Sequence, residues 1–155
     1  MFRKEKLMKR KIIVFIVLIL ALAGCTKVNE QAESNLTAED IVKNHFKYIN
    51  EKDADKIEKT ITQAKKGVTW EFEKLKYFKL INIEEDKSDI MKDAYMSNGR
   101  GSAIKPFQVK VFKVNFEVNY KDGGGSGFGN GRYTWYYFVI KEKEGSDWLI
   151  DDWGV

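Results

Sequence analysis

The stretch Phe107–Tyr120, FQVKVFKVNFEVNY, decides the fold. Its apolar residues occupy odd positions up to Val111 and even positions from Phe112 onward. Alternation with a period of two is typical of a β-strand that buries one face. Because a strand cannot exchange its buried face without an additional residue, the change of phase predicts a β-bulge at Val111–Phe112. It also predicts a sharp bend in a long strand.

The residues after this strand predict the rest of an antiparallel sheet. Residues 122–131, DGGGSGFGNG, match no phosphate-binding motif, and they indicate a mobile hairpin connection. Residues 132–141 are apolar at both odd and even positions, which predicts a central strand covered on both faces. A turn at 143–146 leads to a last short strand at 148–153.

The residues before the strand predict helices. Thr37 followed by Asp40 resembles a capping box, with Asp in place of the usual Glu. Apolar residues recur at helical spacing over 38–50, which predicts a helix with one buried face. Asp53 is the expected cap of a second helix that ends near Gly67.

The segment between these helices and the long strand is less regular. A short helix or turn at 68–75 leads into a predicted strand at 76–84 and a solvated turn at 84–89. For 90–101 we expect a short helix followed by a loop. Helices that precede an antiparallel sheet define the α+β class, here with N-terminal helices packed on a strongly bent sheet.

The N-terminal 24 residues have the pattern of an export signal. A basic segment precedes the apolar run Ile12–Ala23, and small residues lead to Cys25. The run has 12 residues, which is short against the roughly 20 that cross a bilayer as a helix. This length favours a cleaved signal over the alternative, an uncleaved membrane helix.

The ending Leu22-Ala23-Gly24-Cys25 resembles the lipobox of bacterial lipoproteins. The resemblance implies cleavage between Gly24 and Cys25, a diacylglycerol on Cys25 and acylation by a fatty acid such as palmitate. The mature protein would then be anchored in the cell membrane and face the extracytoplasmic side. Two or more acyl chains hold a protein stably on a membrane, whereas one does not. Residues 25–35 become the lipidated Cys and a flexible tether, and 36–155 a single α+β domain.

The final strand carries a second resemblance. Residues 148–154, WLIDDWG, resemble the closing strand of uncharacterised bacterial lipoprotein domains of the nuclear transport factor 2-like, or cystatin-like, superfamily. Residues 36–62 are similar to the opening helices of these domains. The resemblance implies a bent sheet wrapped on helices into a cone. That superfamily holds enzymes, ligand binders and interaction modules, so the fold does not select a function.

The charge balance argues against nucleic-acid binding. Six of the 27 basic residues and one of the 23 acidic residues lie in 1–24, which leaves 21 and 22 and a net charge of −1. The basic character of the whole chain therefore belongs to the signal, and no basic footprint for nucleic acid remains.

A single histidine limits the catalytic and metal chemistry. His45 is either an acid/base residue in the mouth of the cone or a structural residue on the buried helix face. The structural interpretation is favoured because no local motif supplies a partner for a general base. One His and one lipidated Cys predict no metal site and no cofactor. Asp151 and Asp152 lack the EF-hand spacing and indicate a strand end.

Two aromatic residues are candidates for contact with a ligand or partner. Trp135 lies in the predicted central strand, and Phe128 is the only aromatic residue of the glycine-rich loop. Tryptophans more often belong to the core, since each buries a large apolar area. These observations predict a membrane-anchored extracytoplasmic module that binds an unknown protein or small ligand without catalysis. The alternatives are a small-molecule enzyme with its site in the cone around His45, and a domain that only spaces or shields something at the envelope.

Overall fold

The long strand lies in the middle of a curled, unclosed antiparallel sheet. A computed structural model describes residues 36–125 and 127–154. The predicted signal, Cys25 and the tether lie outside these residues. Four strands form the main sheet in the order β1-β2-β5-β6, and β3 pairs with β4 in a small ribbon. The strands are β1 Leu75–Glu85, β2 Gln108–Tyr120, β3 Gly124–Gly125, β4 Phe128–Gly129, β5 Gly131–Lys141 and β6 Leu149–Gly154.

The helices occupy the N-terminal side and one later segment. They are α1 Ala38–Glu51, α2 Ala54–Glu58, a 3-10 turn Gln63–Lys65, α3 Ile90–Ser97 and α4 Gly101–Ile104. The predicted α+β class, with helices packed on a strongly bent sheet, is confirmed. No helix within the described ranges is long and apolar enough to span a membrane.

Helix α1 begins at the predicted capping box. The backbone N–H of Asp40 donates to Thr37 Oγ1 at 3.1 Å, and the N–H of Thr37 donates to Asp40 Oδ2 at 3.0 Å. These two bonds satisfy amide groups that the first helical turn leaves without partners. The buried face of α1 then packs on the sheet through Ile41, Val42, Phe46 and Ile49.

The second helix is shorter than predicted. It ends at Glu58, not near Gly67, because the following residues pair with the edge of the sheet. The N–H of Ile150 donates to the carbonyl of Thr60 at 2.8 Å, and the N–H of Thr62 donates to the carbonyl of Ile150 at 2.9 Å. Strand pairing replaces helical hydrogen bonds here, and it covers the outer edge of β6.

The predicted bulge at Val111–Phe112 is wrong. Strand β2 pairs with β5 in unbroken register through both residues. The phase changes because both faces of the strand are covered. Phe112 joins the main core under α1, and Val111 joins a second cluster on the opposite face, with Tyr95 of α3 and with Phe138 and Ile140 of β5.

The irregular positions of the sheet lie in its outer strands. Strand β1 shifts register against β2 between Leu75 and Tyr77 and again between Leu80 and Asn82. Strand β6 shifts against β5, which leaves Asp151 as the additional residue between two paired ones. Register shifts bend a strand locally and increase its twist, so these three positions account for the curl.

Strand β5 is covered on both faces in its second half, as predicted. Tyr137 and Val139 belong to the main core, and Phe138 and Ile140 belong to the second cluster. The glycine-rich segment that precedes it holds the β3–β4 ribbon. At the end of that segment the Asn130 side chain accepts from the N–H of Tyr120 at 2.7 Å and donates to its carbonyl at 3.1 Å.

Candidate functional site

His45 lies inside the main core of the domain. Its side chain is 1% exposed, and its ring is surrounded by aromatic rings. Trp70 and Trp153 lie with their ring centroids 5.5 and 5.9 Å from the imidazole, and Tyr137 lies at 6.4 Å. The centre of the sheet is therefore filled with aromatic side chains around the histidine.

The hydrogen bonds of His45 fix its tautomer. Thr60 Oγ1 lies 2.7 Å from His45 Nδ1 and donates its own hydrogen to the carbonyl of Ile57 at 2.6 Å. The hydroxyl has one hydrogen, so Nδ1 must be the donor in the contact with Thr60. Burial lowers the pKa of His45 to about 3. The imidazole is thus neutral and anchored to a hydroxyl.

This environment differs from that of a general base. A base works best with a pKa near the working pH and within hydrogen-bonding reach of its substrate. The ring of His45 is buried, its pKa is well below neutrality, and its hydrogen-bonding partner among the described residues is Thr60. The geometry gives His45 a role in packing the core.

The two predicted contact residues lie on strands β5 and β4. Trp135 is half-buried on β5, where its ring meets Phe116 at 5.7 Å and Tyr133 at 6.1 Å. Phe128 begins the short strand β4 opposite Gly125, and its side chain lies outside the described atoms.

The most polar buried position is Asp151. Its carboxylate is fully buried and accepts four hydrogen bonds. Thr62 Oγ1 and Tyr95 Oη each donate at 2.8 Å, and Arg100 donates through both Nε and Nη2 at 3.0 Å. The guanidinium and the carboxylate form the fork-to-fork geometry of a strong bidentate pair.

The ionisation of the pair follows from these contacts. Burial raises the pKa of Asp151, but hydrogen bonds from Arg100, Thr62 and Tyr95 outweigh it and hold the pKa below its usual range. The hydrogen bond to Asp151 raises the pKa of Arg100, and burial together with the same carboxylate raises the pKa of Tyr95. The carboxylate is therefore charged, and it connects α3 and α4 to β6.

Local structure positions these partners. Alternation along β6 places Asp151 on the face opposite to Ile150, toward α3, and the register shift leaves Asp151 without a pairing partner in β5. Gly101 begins α4 beside Tyr95, where a Cβ atom would lie 2.5 Å from the tyrosine ring. Only glycine permits this approach, which brings Arg100 next to the buried carboxylate.

An open groove lies outside the core, between α1 and the edge strand β1. Its volume is about 610 Å³. The Asn50 side chain closes one end of the exposed strand edge by accepting from the N–H of Phe78 at 2.8 Å and donating to its carbonyl at 2.5 Å. We call this feature the α1–β1 groove. Its lining consists of Lys43, Phe46, Lys47, Asn50, Tyr77, Lys79, Leu80 and Glu117.

The groove has a cationic rim with one acidic group. Lys43 and Lys47 pair with exposed glutamates of their own helix at 2.6 and 3.9 Å. Glu117 accepts hydrogen bonds from Tyr77 Oη and Arg132, which lower its pKa and keep its carboxylate charged. Exposed ion pairs are weak, so the lysine amines remain available to a ligand.

The described residues contain no cluster of three or more His, Cys, Asp or Glu side chains that could hold a metal ion. Asp151 and Asp152, which have the chemistry of calcium ligands, are engaged with cations of the protein instead. Asp151 pairs with Arg100, and Asp152 pairs with Lys65.

The model of a domain of unknown function, DUF4829, matches residues 39–154. The chain belongs to the DUF4829 family. No curated protein and no solved structure matches it. The matched residues of this DUF4829 domain begin in α1 and end with β6. They therefore include His45 and the α1–β1 groove. They also include the Asp151 cluster, which consists of Asp151, Thr62, Tyr95 and Arg100.

The Asp151 cluster was not predicted from the sequence. The segment 148–154 indicated only a closing strand, and Arg100 lay in a predicted loop. One signal was present: Asp151 directly follows the apolar residues Leu149 and Ile150 in a predicted strand, so a charged side chain lies close to the core. Its partners come from residues 51 and more positions away, so spacing could not identify them.

His45 should dominate the pH dependence of stability between pH 6.5 and 5. Its pKa is about 3 in the folded chain and about 6.5 in an unfolded chain, so the unfolded state binds one more proton in this range. The free energy of unfolding should be constant above pH 6.5 and fall by about 1.4 kcal/mol per pH unit below it. Urea unfolding at several pH values measures this slope.

The control for this slope is His45→Asn, which replaces the only histidine and keeps an amide donor near the position of Nδ1. The variant should lose the slope between pH 6.5 and 5, whatever its absolute stability. An identical slope in both proteins would contradict the burial of a neutral His45.

Replacing Asp151 with Asn should destabilise the domain by about 3 kcal/mol, because it leaves Arg100 beside a buried site without its counter-charge. The neighbouring Asp152→Asn is the matched control. Its pair with Lys65 is partly exposed, so its loss should cost about 1 kcal/mol or less. Urea unfolding at pH 7 measures both, and equal costs would contradict the role assigned to Asp151.

Proposed function

We propose that this protein is a lipid-anchored, extracytoplasmic binding module without catalytic activity. The observation that carries the proposal is the division of the domain into a filled interior and an open exterior groove. Aromatic rings pack around a neutral His45, and the α1–β1 groove of about 610 Å³ lies outside. A volume of this size accommodates a small molecule or a short peptide segment.

The anchor rests on the sequence Leu22-Ala23-Gly24-Cys25 and on the basic and apolar segments before it. The lipobox resemblance supports a diacylglycerol on Cys25, cleavage after Gly24 and a position on the outer side of the cell membrane. Residues 26–35 would then connect the lipid to the domain. Nucleic acid is not a partner in this proposal, since the chain after residue 24 has a net charge of −1.

We further infer that the domain has the nuclear transport factor 2-like, or cystatin-like, arrangement. Helices that precede a curled, unclosed antiparallel sheet support it, as does the closing strand β6. In this arrangement the concave side of the sheet faces α1, and here that side is occupied by Phe46, Phe78 and Phe116. The rings leave the exterior groove as the place for a ligand.

The enzyme alternative centres on His45, and no contact among the described residues favours it. The histidine meets Thr60 and aromatic rings, whereas acid/base catalysis calls for a reachable group with a pKa near neutrality. The chemistry available in the groove is recognition by lysine amines and the Tyr77 ring.

The proposed lipid anchor predicts the mass of the processed protein. The intact protein, extracted with detergent from the membranes of a bacterial host, should begin at Cys25 and carry diacylglycerol and fatty acyl groups. Cys25→Ala should retain residues 1–24 and lack the lipid. Mass spectrometry of both proteins measures this, and a wild-type chain without lipid would refute the anchor.

The groove predicts where a ligand binds. Native mass spectrometry of the extracted protein should show an added mass that disappears on unfolding. The triple variant K43Q/K47Q/K79Q should lose at least about nine-tenths of that mass, since it removes every lysine that lines the groove. The matched triple variant K59Q/K66Q/K76Q changes the same charge elsewhere and should keep it. Equal occupancy in both variants would place binding outside the groove.

A further inference from the structure

A second groove differs from the first in its chemistry. It has a volume of about 440 Å³ and lies between α3, the start of β2 and the start of β6. Its lining contains two lysines and no acidic residue, and most of its other side chains are apolar or aromatic. We call it the Phe107–Trp148 face, and its members are Lys92, Met96, Pro106, Phe107, Gln108, Val109, Lys110 and Trp148.

The apolar members of this face are all at least partly accessible: Phe107 is exposed, and the others are half-buried, namely Met96, Pro106, Val109 and Trp148. Phe107 is 52% exposed, one of the highest values among the large apolar residues described. Ile81, which is 47% exposed, lies on β1, away from this face. Single exposed apolar residues are ordinary, whereas a group that includes Phe, Trp, Met and Pro in one groove marks an interaction surface.

Lys141 contacts both aromatic residues of this face. The N–H of Phe107 donates to the carbonyl of Lys141 at 2.9 Å, which fixes Phe107 at the end of the sheet. The amine of Lys141 lies 5.4 Å from the centre of the Trp148 ring. The face is thus built on strand ends, and a third lysine flanks its tryptophan.

The charges of this face suit an anionic surface. Lys92 pairs with Asp89 at 3.4 Å and Lys110 pairs with Glu85 at 3.1 Å, and all four side chains are exposed. Exposed pairs of this kind exchange partners easily. Lysines beside Trp and Phe form the combination that proteins place at the boundary between lipid headgroups and acyl chains, where rings enter the boundary and amines stay at the headgroups.

We propose that the Phe107–Trp148 face rests on the anionic surface of the membrane that carries the protein. This inference rests on the proposed lipid anchor, because the anchor would keep the domain near the membrane and make a weak contact effective. A tether of residues 26–35 spans at most roughly 36 Å, so the domain stays close to the bilayer at a high effective concentration. A weak contact that would not hold a free protein then suffices to orient the domain.

The test uses the full-length protein reconstituted into vesicles with brominated acyl chains, which quench tryptophan fluorescence on contact. Vesicles rich in phosphatidylglycerol should quench the wild-type protein, and phosphatidylcholine vesicles should quench it less. Trp148→Phe should lose most of this quenching, because Trp148 is the one tryptophan among the residues that line the Phe107–Trp148 face. Equal quenching in Trp148→Phe and wild type would overturn the proposal.

Matched variants test the apolar and the charged parts separately. Phe107→Ala should lower the quenching constant about tenfold, whereas Ile81→Ala, of similar exposure on another surface, should leave it unchanged. K92Q/K110Q should lower it in anionic vesicles, and K59Q/K66Q should not. Indistinguishable results within either pair would overturn the proposal. An absence of quenching in both kinds of vesicle would also overturn it, and would assign the face to a protein partner.

The mass of the reconstituted protein shows whether it carries lipid, so the proposed anchor and the proposed membrane contact can be tested separately. If the chain carries lipid and Trp148 is not quenched, the anchor stands and the membrane contact fails. If the chain carries no lipid, flotation with phosphatidylglycerol vesicles compares wild type with Phe107→Ala. Reduced flotation of the variant then supports the face without the anchor, and equal flotation overturns it.

Discussion

The buried carboxylate of Asp151 connects the two sides of the sheet. Strands β2 and β5 bury apolar residues on both faces, so a single layer of helices cannot complete the domain. Helix α1 covers one face. The other face depends on the short helices α3 and α4, which bury little apolar area of their own. The hydrogen bonds from Tyr95 and Arg100 to Asp151 hold this second cover in place.

Asp151 lies at a register shift in β6. In a regular strand, Asp151 would continue the pairing of β6 with β5. The shift leaves it unpaired between Ile150, which enters the main core, and Asp152, which pairs with Lys65 near the surface. Ile150 thus faces the main core, Asp151 faces Tyr95 and Arg100, and Asp152 meets Lys65. The opposite, outer edge of β6 is covered at Ile150 by Thr60 and Thr62, so it is not a free strand edge there.

Local sequence patterns predicted the helices and strands. Contacts between residues distant in sequence determine which of them cover each face of the sheet. The capping box at Thr37 and the helical spacing after it depend on residues within one or two turns, and both are present. The change of phase at Val111 was real, but it had two physical explanations: a bulge, or a cover on each face. Choosing between them required knowing that Tyr95 packs on Phe138 at 4.7 Å, a contact that no local spacing contains.

The candidate binding surfaces were hidden from the sequence for a similar reason. His45 was evident because it is the only histidine, and the structure surrounds it with rings. The two grooves instead combine residues from separate elements, α1 with β1 in one case and α3 with the ends of β2 and β6 in the other. They share only strand β2, and they differ in composition, since the first contains the carboxylate of Glu117 and the second contains none. A domain that approaches a membrane through the Phe107–Trp148 face would keep the α1–β1 groove free for a separate ligand.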